Sequence, residues 1–259
     1  MAAISYDSRE ILAKFSETRG IKIPLLSDPA SEVIRSFHVL MPGNQGNAYP
    51  GYYVTGNDGV ITNELFFEDE DEVGARSTPL GLLSKMFPTT PGRAARVMSA
   101  QHVKIELSQS DEEARWRNRL VLRVGMELPP GFHAYAPEVT GGYKPLALEV
   151  PETAHYWSMP PVRYPKSRIL NLPKLGEHLS VFEGKFELTT EAAIKWQDFE
   201  QVTKEKRTHQ VEIRGVLHYQ LCDAEMCFPP EIRPISWTIT VMPYDQEGVS
   251  PSKPSTVKK

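Results

Sequence analysis

Cys222 and Cys227 are the only cysteines of the 259-residue chain, and four residues separate them in Tyr219-Gln220-Leu221-Cys222-Asp223-Ala224-Glu225-Met226-Cys227-Phe228-Pro229-Pro230. Two thiols this close can run a two-electron exchange, in which one thiolate attacks a partner's disulfide and the other resolves the mixed disulfide. Two strands meeting at a four-residue loop bring the flanking residues to the Cα separation of about 4.4–6.8 Å that a disulfide needs. A ring so short restrains the unfolded chain by only about 2 kcal/mol, so exchange explains the spacing better than stapling does. A static disulfide, or two buried unpaired cysteines, is the alternative that spacing alone leaves open. Two cysteines without further Cys/His ligand spacing make neither a disulfide scaffold nor a structural zinc site, so no metal and no cofactor is expected.

Charged neighbours act on the pair in opposite directions. His218, four residues before Cys222, would share its face on an uninterrupted strand and would favour a thiolate there. Asp223 and Glu225 place negative charge beside the sulfurs and raise a thiol pKa. The acidic run Glu68-Asp69-Glu70-Asp71-Glu72 reads as a solvated loop, and Trp116 among Arg115, Arg117 and Arg119 as surface packing. A net charge of -4 gives no basic field for nucleic acid, and no apolar run reaches the length of a membrane span, so neither nucleic-acid binding nor membrane insertion is expected.

The elements that must position the cysteines change character along the chain. Ala2 to Tyr6 reads as a strand, Ser8 as the N-cap of a helix from Arg9 to Arg19 with Ile11, Leu12 and Phe15 on one face, and Gly20 as its stop. Ile21 to Leu26 is extended and leads to a helix with Val33, Ile34 and Phe37 on one face. Gly56-Asn57-Asp58-Gly59 turns a hairpin between Tyr52 to Thr55 and Val60 to Thr62. Leu80 to Phe87 reads as a closing helix, and residues 88–100, opened by Pro88-Thr89-Thr90-Pro91-Gly92, as a linker. Strands then recur at His102 to Leu107, Arg119 to Val124, Leu146 to Val150, Phe186 to Thr189, His209 to Tyr219 and Ile235 to Met242, the rhythm of an antiparallel β-sandwich. Residues 246–259 are polar and expected to be disordered.

Two family resemblances give these parts a meaning. The run Tyr219-Gln220-Leu221-Cys222 through Cys227-Phe228-Pro229-Pro230-Glu231 resembles the redox motif of the N-terminal, immunoglobulin-like domain of the thiol:disulfide interchange protein DsbD family. Pro130-Gly131-Phe132-His133-Ala134-Tyr135 is similar to the strand that faces the cysteines in that family, and Glu177 to Phe186 to the segment after its cap loop. The resemblance covers about Gln101 to Asp245 and implies a sandwich over 101–245, a redox-active Cys222/Cys227 couple, supporting roles for Tyr135 and His133, a thioredoxin-like partner protein or domain, and Cys227 as the sulfur that bonds that partner. The intercysteine loop is one residue shorter than in the best-known members, and Leu175 stands where their cap loop carries an aromatic ring.

Ala3-Ile4-Ser5-Tyr6-Asp7-Ser8, Ile23 to Pro29, Tyr49-Pro50-Gly51-Tyr52-Tyr53-Val54 and Asn57-Asp58-Gly59 resemble, in order, the later part of the peroxiredoxin-like AhpC/TSA redoxins. The expected fold is therefore an α/β partial thioredoxin-like domain over 1–87 followed by an all-β immunoglobulin-like sandwich. The family's first strands and its cysteine-bearing helix would precede Met1, so a truncated domain without peroxidase activity is expected, Pro50 being structural. The DsbD resemblance implies a periplasmic or exported setting, although Met1 to Asp7 does not read as a signal peptide.

Overall fold

A computed structural model of the chain describes residues 1–41, 48–49, 51–66, 76–78, 81, 93–116, 118–172 and 176–243. Two compact units divide between Glu70 and Asp71. In the first, β1 (Ala3–Ser5), α1 (Arg9–Arg19), β2 (Leu25–Ser27), α2 (Glu32–Ser36), β3 (Gly51–Thr55) and β4 (Ile61–Phe66) follow in order.

Helix α1 begins where Ser8 Oγ accepts the Ile11 N–H at 3.4 Å, and it ends at Gly20, whose φ of 61° is a conformation open to glycine at no steric cost. Strands β1 and β2 pair in parallel across it, Ala3 opposite Leu25, which makes the strand–helix–strand start a βαβ unit. Strands β3 and β4 pair antiparallel as the expected hairpin. The helix faces are less buried than their patterns suggest: only Leu12 of the first trio and only Ile34 of the second are buried. Two strands of three residues each cover little of an 11-residue helix. Pro50, the acidic run from Glu68 to Glu72, all of the expected helix from Leu80 to Phe87 except Gly81, Leu175 and residues 246–259 lie outside the described residues.

The second unit contains β5 (Arg76–Ser77), β6 (Arg93–Ala100), β7 (Val103–Gln109), β8 (Glu113–Ala114), β9 (Asn118–Glu127), β10 (His133–Tyr135), β11 (Ala147–Glu149), β12 (Tyr156–Arg163) and β13 (Arg168–Leu172). It continues with β14 (Glu177–Glu183), β15 (Lys185–Ile194), α3 (Trp196–Glu205), β16 (His209–Tyr219), β17 (Leu221–Cys222) and β18 (Glu231–Val241). They form a six-stranded sheet containing the path β12-β15-β9-β7-β6, and two four-stranded sheets ordered β11-β16-β18-β8 and β13-β14-β10-β17.

One core joins all three sheets: Leu122, Val124 and Leu188 come from the first, Ile213, Trp237 and Ile239 from the second, and Ala134, Phe182 and Leu221 from the third. This shared interior makes the unit a sandwich. Two short pairings, β8 with β18 and β5 with β9, are parallel, an addition to the expected antiparallel pattern. The expected linker is corrected: β6 fills its second part and pairs antiparallel with β7, Val97 opposite Glu106. As an outer strand of its sheet, with Val97 53% exposed and Met98 only partly buried, it lacks the apolar alternation that marks a strand. Helix α3 was likewise not foreseen; its buried Phe199 and Val202 stand three apart on a face that also carries buried Asp198.

Candidate functional site

The small sheet β13-β14-β10-β17 sorts its side chains by the period-2 alternation of strands. Ala134, Phe182 and Leu221 point into the main core. Their neighbours Tyr135, Val181 and Cys222 point to the opposite face and form a second cluster with Leu179, against which Val139, Tyr143, Leu170 and Leu172 pack. Opposed residues of antiparallel strands share a face, and His133 lies opposite Cys222 on one side and Glu183 on the other. The row Cys222–His133–Glu183 thus crosses three strands.

Cys222 and Cys227 are bonded to each other, with their Cα atoms 4.0 Å apart. Between them Asp223 holds the turn: its Oδ1 accepts the N–H groups of Glu225 and Met226, both at 2.8 Å, and its own N–H donates to Met226 O at 3.0 Å. Those two N–H groups hold the Asp223 carboxyl below its usual pKa. Beyond the turn, Phe228 N–H donates to Leu221 O at 2.8 Å and Gln220 Nε2 to Phe228 O at 3.0 Å, tying the returning strand to the sheet. The two sulfurs differ in access. Cys222 is 1% exposed, whereas Cys227 lies in an exposed stretch from Ala224.

Tyr135 spans the pair, its Oη 3.2 Å from Cys222 Sγ and 3.4 Å from Cys227 Sγ. In the disulfide neither sulfur carries a proton, so the phenol is the donor in this contact. Burial, with the neighbouring Tyr143 and Glu177, pushes the Tyr135 pKa up to about 12, which keeps that proton in place at neutral pH. Tyr143 covers the phenol ring at 4.5 Å between centroids and donates to Glu177 Oε2 at 2.5 Å.

His133 is buried and packs edge-on to Tyr135; burial pulls its pKa down, Glu183 and Asp223 oppose that shift, and Arg168 adds to it. Burial thus favours the neutral imidazole. His102 stacks with Phe132 at 4.8 Å and packs tilted against Phe228 at 4.6 Å, bracing the residue after Cys227.

Of the residues singled out in the sequence, Cys222, Cys227, Tyr135 and His133 come together. His218 does not join them. It lies opposite Ala147 in the β11-β16 pairing, with Nε2 3.8 Å from Glu149 Oε1. The chain breaks at Gln220 and enters a different sheet before Cys222, so spacing by four no longer means a shared face. Tyr143 and His102 were missed. Tyr143 follows the Gly141-Gly142 turn signal, and His102 carries no sequence signal, because its contacts come from residues 30 and 126 positions away.

Another cavity, of about 470 Å³, is lined by His155, Asp198 and His209 among others. Both imidazoles approach Asp198 Oδ1, at 3.0 and 3.1 Å, and no cysteine lines the cavity.

Comparison with known proteins finds a family similarity at the start of the chain. Residues 1–64 match the model of the AhpC/TSA family. This is the redoxin resemblance read in the sequence, and it places a thioredoxin-like start ahead of the β-rich unit. Among solved structures, the N-terminal periplasmic domain of ScsB from Proteus mirabilis aligns with 13% identity and a TM-score of 0.37, covering 56% of this chain. The chain spans about half of that structure, 49%. The reduced N-terminal domain of DsbD from Neisseria meningitidis aligns with 13% identity and a TM-score of 0.33, over 59% of this chain and 95% of that one. No curated protein matches. Among the described residues no helix is long and apolar enough to cross a membrane.

Proposed function

We propose that the unit from Asp71 to Asp245 is a thiol–disulfide exchange module that passes two electrons to or from a thioredoxin-like partner through the Cys222/Cys227 couple. The observation that carries this reading is the asymmetry of the pair: one exposed sulfur, one buried sulfur, and a protonated phenol 3.2 Å from the buried one.

In the direction of reduction, a partner thiolate attacks Cys227 Sγ. A new S–S bond forms, the Cys222–Cys227 bond breaks, and its electron pair leaves on Cys222 Sγ as a thiolate. Burial opposes that charge, and the Tyr135 O–H donates to it in compensation. The partner's second thiolate then attacks its own sulfur in the mixed disulfide and releases Cys227 as a thiolate. Each thiolate takes a proton from solvent or a neighbouring donor, and the partner leaves oxidised.

The redoxin segment takes no part in this chemistry, since no cysteine occurs before Cys222. A persistent disulfide suits an oxidising compartment, and we place the module there. The test is a reduction potential together with a trapping experiment. Exchange requires a potential well above the −300 mV of structural bonds, and a Cys222→Ser chain should retain a mixed disulfide at Cys227 with a thioredoxin-like protein. A potential below about −300 mV, or no trapped mixed disulfide at either cysteine, supports a static disulfide in a binding scaffold instead, and trapping only through Cys222 in the converse variant reverses which sulfur the partner attacks.

A further inference from the structure

The row Cys222–His133–Glu183 ends in a groove of about 560 Å³ on the same unit. Neighbouring strands lie about 4.8 Å apart, so Glu183 is about 10 Å from Cys222 across the sheet. A second link comes from the rings: Phe132, which lines the groove, stacks on Phe228, the residue after Cys227, at 5.7 Å. Pro130, Pro165, Phe132 and Phe186 give the groove apolar walls.

Its charge is one-sided. Arg168 and Glu183 neutralise each other in an ion pair of 2.7 Å. Lys166 and Lys185 are both exposed and form no ion pair among the described residues; Glu187, the acid whose pKa Lys185 influences, is already held by Arg123 at 2.7 Å. Two exposed cations with no ion pair among the described residues therefore sit beside apolar walls, in a chain whose net charge is -4, although Lys185 stands opposite Glu127 across the sheet.

Resting on the exchange reading above, we propose that this groove docks an extended acidic segment of the redox partner. Its carboxylate meets Lys166 and Lys185, and its apolar side chain lies on the Phe132 and Phe186 walls. An extended chain advances about 3.3–3.6 Å per residue, so a carboxylate three residues from a partner's cysteine spans about the 10 Å that separate Cys222 from Glu183 in the groove that also holds Lys166 and Lys185. Complementary charge at the rim of such a contact sets partner choice and the rate of encounter more than its affinity.

The probes are two pentapeptide thiols, Cys-Gly-Gly-Glu-Leu and Cys-Gly-Gly-Lys-Leu, with blocked ends, and the readout is the rate at which each reduces the disulfide of the full chain. The glutamate peptide should react roughly fivefold faster, as expected for two partly exposed charge contacts. The chain's overall negative charge favours the opposite order. A Lys166→Glu/Lys185→Glu chain with an unchanged melting temperature should reverse the ratio, and added salt should erase it in both proteins.

Equal peptide rates in the wild-type chain, with dithiothreitol still reducing it, would overturn the groove and leave the exchange reading intact. Resistance to dithiothreitol as well would defeat both. Free glutathione matching the glutamate peptide, with the same dependence on Lys166 and Lys185, would assign the groove to a small acidic thiol and overturn its role in docking a partner protein.

Discussion

In the second unit, Leu122, Val124, Leu188, Ile213 and Ile239 are fully buried, drawn from two sheets that face one another through a common core. In the first unit, Leu12 and Ile34 are the buried apolar side chains among the described residues, while Ile4, Ile11 and Leu26 are 46%, 51% and 48% exposed. The contrast shows what a second layer does. An apolar face gains from burial only when another apolar face meets it, and a βαβ unit with two described strands offers less of that surface than a sandwich. The redox pair sits in the unit that can hold a sulfur at 1% exposure without help.

Core truncation should separate the units most clearly. Trp237→Ala or Ile213→Ala removes a side chain from the joined core and should cost about 2–5 kcal/mol, a large part of the stability of a typical domain, whereas Leu12→Ala should leave the main transition of the second unit in place. Chemical denaturation followed at the second unit decides it, and a comparable loss from Leu12→Ala would break the comparison.

Tyr135→Phe should act inside the second unit with little effect on its fold. Removing a hydrogen bond to a developing thiolate is worth about 1.5–3 kcal/mol, so reduction by a fixed thiol should slow on the order of tenfold or more, and the Cys222 thiol should titrate at higher pH. Stopped-flow reduction and alkylation against pH measure these effects, and an unaltered rate would remove the phenol from the mechanism.

Breaking the disulfide itself should be milder for stability. The ring closed by a sequence separation of 5 restrains the unfolded chain by about 2 kcal/mol, so the reduced sandwich should stay folded with a modestly lower melting temperature. Calorimetry of both redox forms checks this, and unfolding on reduction would make the bond structural.

The smallest effect expected is on the pH profile. Burial lowers the His133 pKa in the folded state below its value in the unfolded chain, about 6.5. Between those two values the unfolded chain binds more protons, so this contribution to stability is complete above about pH 6.5 and is lost as the pH falls toward the folded value. A His133→Gln chain should show a shallower acid slope in denaturant melts, and an identical slope would place the responsible group elsewhere.

Local signals in the sequence determined a good part of this molecule. Ser8 and Gly20 bounded α1 because caps act over a few residues, and the hairpin after Gly51 followed from its turn residues for the same reason. The Cys222/Cys227 spacing indicated a bond that the structure forms. Strand β16 could be read at its exact limits because its alternating burial faces one core. Strand β6 could not, since an outer strand that is exposed in part has no such alternation to display.

What only the tertiary structure decided is which residues share the sulfurs' surroundings. His218, close in sequence, goes to another sheet because the chain turns at Gln220, while Tyr135, His102 and Tyr143 arrive from 79 or more positions before Cys222. The choice of Cys222 as the buried sulfur likewise depends on β17 lying beside β10 beneath Tyr143 and Val139. Spacing constrains only residues on one continuous element, and the environment of a thiol is set by strands that meet through the sheet.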